Sequence, residues 1–294
     1  MKERIATQVT SAHNVVMLAV LLGAGLTGSI ATAPAPVSDT LAQRLQIGKL
    51  ETIAAEAAQQ AIAVQPAARA AQAVQDVIAP KVAESFNFHV FDSRFDHVRN
   101  QMRWLPVKYG SDVLKTPDAP SRLLLAQSAA KQAGLGEVGL SYRDVYGIIN
   151  AETSWIPRMG ASKDGTPNLG IAQFEPATAK AMGMVNPADP VEAVHAAAVH
   201  MKDAALWSAK RLAGLKLKPE EHALKLREGV SIYYNLSSRG RAKWNGKNTA
   251  KLPVETRRHI ANARIGAREA AELEAQLRDL QGRMNGARTV TAQR

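Results

Sequence analysis

The residue best placed to do acid–base chemistry in this sequence is Glu152. Val145, Ile148 and Ile149 recur at helical spacing, and Glu152 falls on the same stripe, seven residues after Val145. Pro157 ends the helix soon after, because the residue before a proline is pushed out of the helical region. A carboxyl group is thus expected on the apolar face, in a last helical turn, beside Trp155. Burial disfavours a bare carboxylate, and so does the negative end of a helix dipole. Both effects help the group keep a proton near neutral pH, which a general acid requires. The competing reading is a glutamate at the edge of the stripe that reaches water and does no chemistry.

Other polar residues follow. A glycine-containing loop from Gly160 to Asn168 carries Ser162 and Asp164, and Leu169-Gly170-Ile171-Ala172-Gln173 comes next. Asp164 reads as turn chemistry and Glu175 as a charge favouring a helix start; either is also the second carboxylate that a hydrolase would need. His195 and His200 are five apart, off the spacing that puts two ligands on one helix face, so no metal site is expected. The chain has no cysteine, which excludes disulfides, thiolate metal sites and a cysteine nucleophile. No P-loop of the phosphate-binding type is present.

The elements that must position these residues are mainly helical. Alanine is abundant and aromatic residues make up only 5%, a balance that favours helices over sheets. Ser141 to Asp144 forms a capping box ahead of the Glu152 helix. Asp189-Pro190-Val191-Glu192 opens another helix, in which Val191, Val194, Ala198, Met201 and Ala205 share a face and Gly214 is a plausible stop. A third starts at Pro219-Glu220-Glu221 and runs towards Tyr234. These helices define a compact domain over residues 119–265.

Within that domain the order of short motifs resembles the soluble lytic transglycosylase family. The chain carries Glu152-Thr153-Ser154-Trp155-Ile156-Pro157, Ser162, Gly170-Ile171-Ala172-Gln173, Pro176-Ala177-Thr178-Ala179, Tyr234-Asn235 and Leu252-Pro253-Val254-Glu255-Thr256, in that order. The resemblance spans roughly residues 120–265 and implies a goose-lysozyme-like helical fold that cuts peptidoglycan glycan strands. It implies Glu152 as the single catalytic acid and base and Ser162 as a contact to the sugar N-acetyl group. By the same resemblance, Gln173 lines the cleft floor, Tyr234 holds the catalytic carboxyl, and Asn235 and Glu255 shape the cleft. No cofactor and no metal is implied.

This chain departs from the family pattern in three places. The loop from serine to glutamine is longer, the glycine after Tyr234-Asn235 is missing, and His259 stands where the family carries tyrosine. The implied reaction cleaves the β-1,4 bond between N-acetylmuramic acid and N-acetylglucosamine and leaves a 1,6-anhydro end. The alternatives are a lysozyme-type hydrolase and a non-catalytic binder of cell wall or polyanions.

The rest of the chain frames that domain. Lys2 and Arg4 precede a stretch without Asp, Glu, Lys or Arg until Asp39, with an apolar run from Val15 to Ile30 and small residues after it. Residues 1–35 therefore read as a signal peptide or an N-terminal membrane anchor, which places the remainder in the periplasm. Residues 36–84 read as an Ala-rich helical spacer, and residues 85–118 as an irregular or partly helical aromatic segment that docks on the domain. Residues 266–294 read as a basic helical tail, with Leu273, Leu277 and Leu280 at helical spacing. The formal charge is +11, and residues 239–294 hold 13 Lys/Arg against 5 Asp/Glu, a net +8. Such an end suits a polyanionic partner, with acidic wall polymer or anionic lipid ahead of nucleic acid, which is not expected. Spacer and tail together make a tethered role beside a secretion, conjugation or flagellar assembly attractive.

Overall fold

The computed structural model describes Val82, residues 86–162 and residues 164–291. The segment expected as a signal or anchor over 1–35, and the one expected as a spacer over 36–84 apart from Val82, lie outside the described residues. Among the described residues there are eight α-helices and two small two-stranded sheets, so the chain is mainly helical. None of these helices is long and apolar enough to cross a membrane.

The aromatic segment ends in an element that the sequence reading did not place. After a short helix α1 (Asp96–Arg99), strands β1 (Trp104–Tyr109) and β2 (Asp112–Pro117) pair antiparallel across the turn at Gly110-Ser111. Gly110 sits at φ +61, which glycine adopts without the clash a side chain would bring. Ahead of the hairpin, Phe95 is buried with its ring 4.3 Å from that of His195, and Arg99 pairs with Asp189 at 2.5 Å.

Helix α2 (Ala119–Ala133) is capped by Asp118 and stops at Gly134, at φ +64. Helix α3 (Tyr142–Thr153) begins with the expected capping box, Ser141 and Asp144 each accepting from the other's end of the first turn. A polar loop follows, pinned by the two-residue strands β3 (Gly160–Ala161) and β4 (Pro167–Asn168), and then the short helix α4 (Pro176–Ala181). Helix α5 (Pro190–Leu212) starts at the Asp189 cap and has Ala213 as its C-cap, with Gly214 directly after it. Helix α6 (Pro219–Asn235) and the short α7 (Ser238–Arg241) lead to α8 (Val254–Thr291), a single helix of 38 residues.

Helix α3 is the centre of the bundle. Val145, Tyr146, Ile148 and Ile149 are all buried, and α2, α5 and α8 pack around them, with α6 bridging α5 and α8. Helices α3 and α8 approach closely enough to leave no room for a side chain at two glycines. A Cβ on Gly147 would lie 2.3 Å from the Ala263 carbonyl oxygen, and one on Gly266 would lie 3.0 Å from Gly147 Cα. The two helices run antiparallel, as their cross-links show. Asn150 donates to the Asn262 carbonyl at 3.4 Å, Tyr146 to Glu269 at 2.6 Å, and Tyr142 to Glu274.

The start of the basic tail therefore belongs to the domain. Helix α8 crosses 265/266 without a break, and Ala270 is fully buried. The Tyr142 hydroxyl, with Arg278 and Arg143, holds Glu274 down at about 2 from an ordinary value of 4.5. A carboxyl depressed in the folded state stabilises it above the unfolded value and loses that contribution as pH falls through the folded one.

Two predictions follow from this packing. Gly147→Ala should lose about 1–3 kcal/mol of stability in urea denaturation, because the added methyl meets backbone that cannot yield. Gly282→Ala, with no atom within 4 Å of the new methyl, should gain up to about 1 kcal/mol from helix propensity; equal midpoints for the two would show that the helices do not meet this closely. For Glu274→Gln, the stability gap to the parent should be widest above pH 4.5 and should close by about pH 2. A gap that stays constant across that range would remove the charge-based account.

Candidate active site

Glu152 is in the last turn of α3, and its side chain is 15% exposed, so the carboxyl is half-sheltered yet open to solvent. Its Oε1 lies 2.7 Å from Nε2 of His259, which comes from α8 and whose side chain is 5% exposed. The His259 ring lies nearly parallel to that of Tyr234, with centroids 6.4 Å apart and 17° between planes. Behind Tyr234 stand His200 and Phe174, with centroids 5.4 and 6.0 Å away. Burial pushes Tyr234 well above 10, and the charge of Glu152 adds to that, so the phenol stays protonated. Burial also lowers His200 below 6.5.

The backbone beyond Glu152 is strained, and several bonds hold it. Ser154 and Trp155 have φ of 53 and 65, and Gln173 has φ of 53. These are the three non-glycine residues at positive φ among those described, and all three gather around the end of α3. Such residues cost on the order of 1–3 kcal/mol each and persist only where their surroundings fix them. Thr116 of β2 donates to the Trp155 carbonyl at 2.8 Å, and the Trp155 ring is wholly buried, 4.9 Å from Tyr146. Thr153 donates to the Ile171 carbonyl at 2.8 Å, and Gln173 Nε2 donates to the carbonyls of Arg158 and Gly170 at 2.8 and 2.7 Å.

Arg158 completes the clamp. Its guanidinium donates to the carbonyls of Thr153 (2.6 Å) and Glu152 (3.3 Å), which the end of α3 leaves without helical partners, and to that of Ile156 (3.1 Å) in the loop beyond. It also lies 5.1 Å from the Tyr109 ring centroid, which ties β1 to the site. Burial lowers the Arg158 pKa below its ordinary value, and Tyr109 and Glu152 oppose that shift.

The structure gathers some of the expected site residues and leaves others apart. Glu152, Gln173 and Tyr234 share one network, but Tyr234 does not hold the carboxyl by a hydrogen bond. Its hydroxyl donates to the Ala172 carbonyl at 3.0 Å, and the group on Glu152 is His259. The reason is geometric: the antiparallel crossing sets position 259 of α8 opposite position 152 of α3. Ser162 lies in the pinned loop and donates to Glu175 at 2.8 Å and Asn168 at 3.2 Å. Asn235 accepts from Thr256 at 2.9 Å, which fastens the end of α6 to the first turn of α8, where Glu255 also stands.

Asp164 accepts from the Thr166 amide at 3.0 Å, an Asx turn, and that bond lowers its pKa. Glu175 occupies the cap position of α4 without capping it. Among the described residues no three His, Asp or Glu come together as a metal site. One cavity of about 50 Å³ lies among Leu140, Ile148, Met201, Val230, Ile260 and Arg264, and Glu152 is not in its lining. His259 was visible in the sequence only as a departure from the family pattern; its role needed the helix crossing.

Compared with known proteins, the chain matches no family model and no curated protein.

The clamp makes a paired prediction. Thr116→Val should cost about 1–3 kcal/mol, because it strands the buried Trp155 carbonyl. Ser154→Gly should be neutral or gain up to about 1 kcal/mol, since glycine accepts φ 53 freely. Thermal unfolding of both variants tests this, and a clear loss for Ser154→Gly would mean that the turn is not strained.

Proposed function

We propose that this chain is a peptidoglycan lytic transglycosylase with a lysozyme-like helical domain and Glu152 as its single acid and base. The observation that carries the reading is the setting of Glu152. A half-sheltered carboxyl stands at a helix end, bonded to a buried histidine, with every described strained non-glycine residue beside it. Strain of this kind persists where geometry is worth its cost, and reacting groups need such geometry. The ordered motifs around Glu152 supply the substrate class.

In the proposed reaction the protonated Glu152 gives its proton to the glycosidic oxygen as the bond from that oxygen to C1 breaks. The substrate's own acetamido group stabilises the cationic centre. The carboxylate then takes the proton of the sugar 6-hydroxyl as that oxygen bonds to C1. A 1,6-anhydro ring forms, Glu152 regains its proton, and no water is consumed. A single carboxylate can serve both steps because the second proton replaces the first. The site is read as periplasmic, with the N-terminal segment as exporter or anchor and peptidoglycan strands as the partner. The spacer and tail are read as ties to an envelope-spanning machine.

The test is a digest of purified peptidoglycan with the full chain, followed by mass spectrometry of the fragments. The wild type should release anhydro-ended muropeptides, and Glu152→Gln should release them about 10²–10⁴-fold more slowly. Reducing ends from the wild type would move the assignment to a hydrolase and draw attention to Asp164 and Glu175. Equal release from both proteins would exclude Glu152 as the acid. No release from either would favour a wall binder, the reading to which the basic C-terminal region lends itself.

A further inference from the structure

Resting on that reading, we infer that His259 is the positioning residue of the reaction: it fixes which oxygen of Glu152 carries the proton. The inference starts from two facts about one ring. His259 Nε2 is 2.7 Å from Glu152 Oε1, and Nδ1 is buried without a hydrogen-bond partner among the described residues. An imidazole ring has a donor at one nitrogen and an acceptor at the other, and the network decides which is which. With the proton on Nδ1, a buried donor would have nothing to donate to, the costlier orphan. With the proton on Nε2, the donor meets a carboxyl oxygen and only a lone pair is left over. The ring is therefore the Nε2–H tautomer and donates to Oε1.

That assignment has a consequence for Glu152. An oxygen that accepts a hydrogen bond from a fixed donor cannot be the one that carries the acidic proton toward it. The proton of the neutral carboxyl stands on Oε2, and Oε2 is the atom that gives it to the glycosidic oxygen and takes the next one from the 6-hydroxyl. His259 gains and loses no proton in either step. Its hold is firm because the ring is packed on Tyr234, whose hydroxyl is spent on the Ala172 carbonyl, and because α8 meets α3 at glycine contact one to two turns away. The nearby charged and titratable groups are Glu152 on α3, Tyr234 on α6 and Arg158 in the loop after α3, with Arg158 occupied by carbonyls. A carboxyl freed from His259 would turn about its terminal bond and meet the 6-hydroxyl less often, leaving more time for water to capture the sugar.

The experiment compares His259→Phe, which keeps a planar ring without a donor, with His259→Gln, whose amide can place a donor near the Nε2 position. Both are assayed on purified peptidoglycan as full chains, with rate and the ratio of anhydro to reducing ends as readouts. Nitrogen-15 NMR of the wild-type histidines runs alongside. His259→Phe should be slower by on the order of tenfold to a hundredfold in kcat with KM little changed, and should yield a larger share of reducing ends. His259→Gln should recover most of the rate and the anhydro share. The NMR should show His259 as the Nε2–H tautomer. Wild-type activity with His259→Phe unimpaired, or with Gln no better than Phe while both stay folded, would overturn the role of His259 alone. An Nδ1–H tautomer would overturn it as well. A wild type that releases no anhydro ends would sink the transglycosylase reading instead, and the NMR would still decide the hydrogen bond.

Discussion

The close antiparallel contact of α3 with α8 is the constraint on which the rest of the molecule depends. Gly147 and Gly266 remove the side chains that would otherwise hold the helices apart, and a methyl at either position would run into backbone or side chain. Once the axes are that near, the remaining cross-links follow from register. Tyr142, Tyr146, Asn150 and Glu152 descend one side, and Glu274, Glu269, Asn262 and His259 answer them in reverse order. The same contact that completes the core thus delivers an imidazole to the candidate catalytic carboxyl. Stability and site geometry are set by one interface.

The end of α3 shows how that order is kept where the helix stops. Two consecutive residues in the left-handed region, one of them a tryptophan, are unfavourable on their own. Thr116 from the hairpin, Thr153 at the end of α3, Gln173 from the next loop, and the Arg158 guanidinium offset the cost by donating to carbonyls that would otherwise be stranded. The hairpin, which lies outside the motif-bearing region, thereby becomes part of the frame around Glu152. Tyr109 and Thr116 are its points of attachment.

The long last helix joins the domain to what lies beyond it. Its first five turns or so are packed, and from about Gln276 the side chains with described exposure are mostly open to solvent, with the ion pair Arg283–Asp279 lying along the surface. Exposed pairs of that kind add little to stability. The helix leaves the domain without a break, so no linker separates its packed part from its exposed part.

What the sequence determined on its own were the local decisions. The helix starts at Ser141, Asp189 and Pro219 were legible because a capping side chain or a proline acts within one turn of itself. The apolar stripe of α3 and the place of Glu152 on it were legible because helical periodicity fixes a face. The hairpin at 104–117 was missed, since its strands carry two prolines and two lysines among the apolar residues and the aromatic cluster ahead of it looked the stronger pattern. Tertiary structure alone decided that α8 crosses 265/266 unbroken, that Tyr234 spends its hydroxyl on a backbone carbonyl, and that His259 sits on Glu152. These outcomes depend on which residues 107 positions apart face each other across two helices, and that spacing is set by glycine contacts and axis angle rather than by any local pattern in the chain.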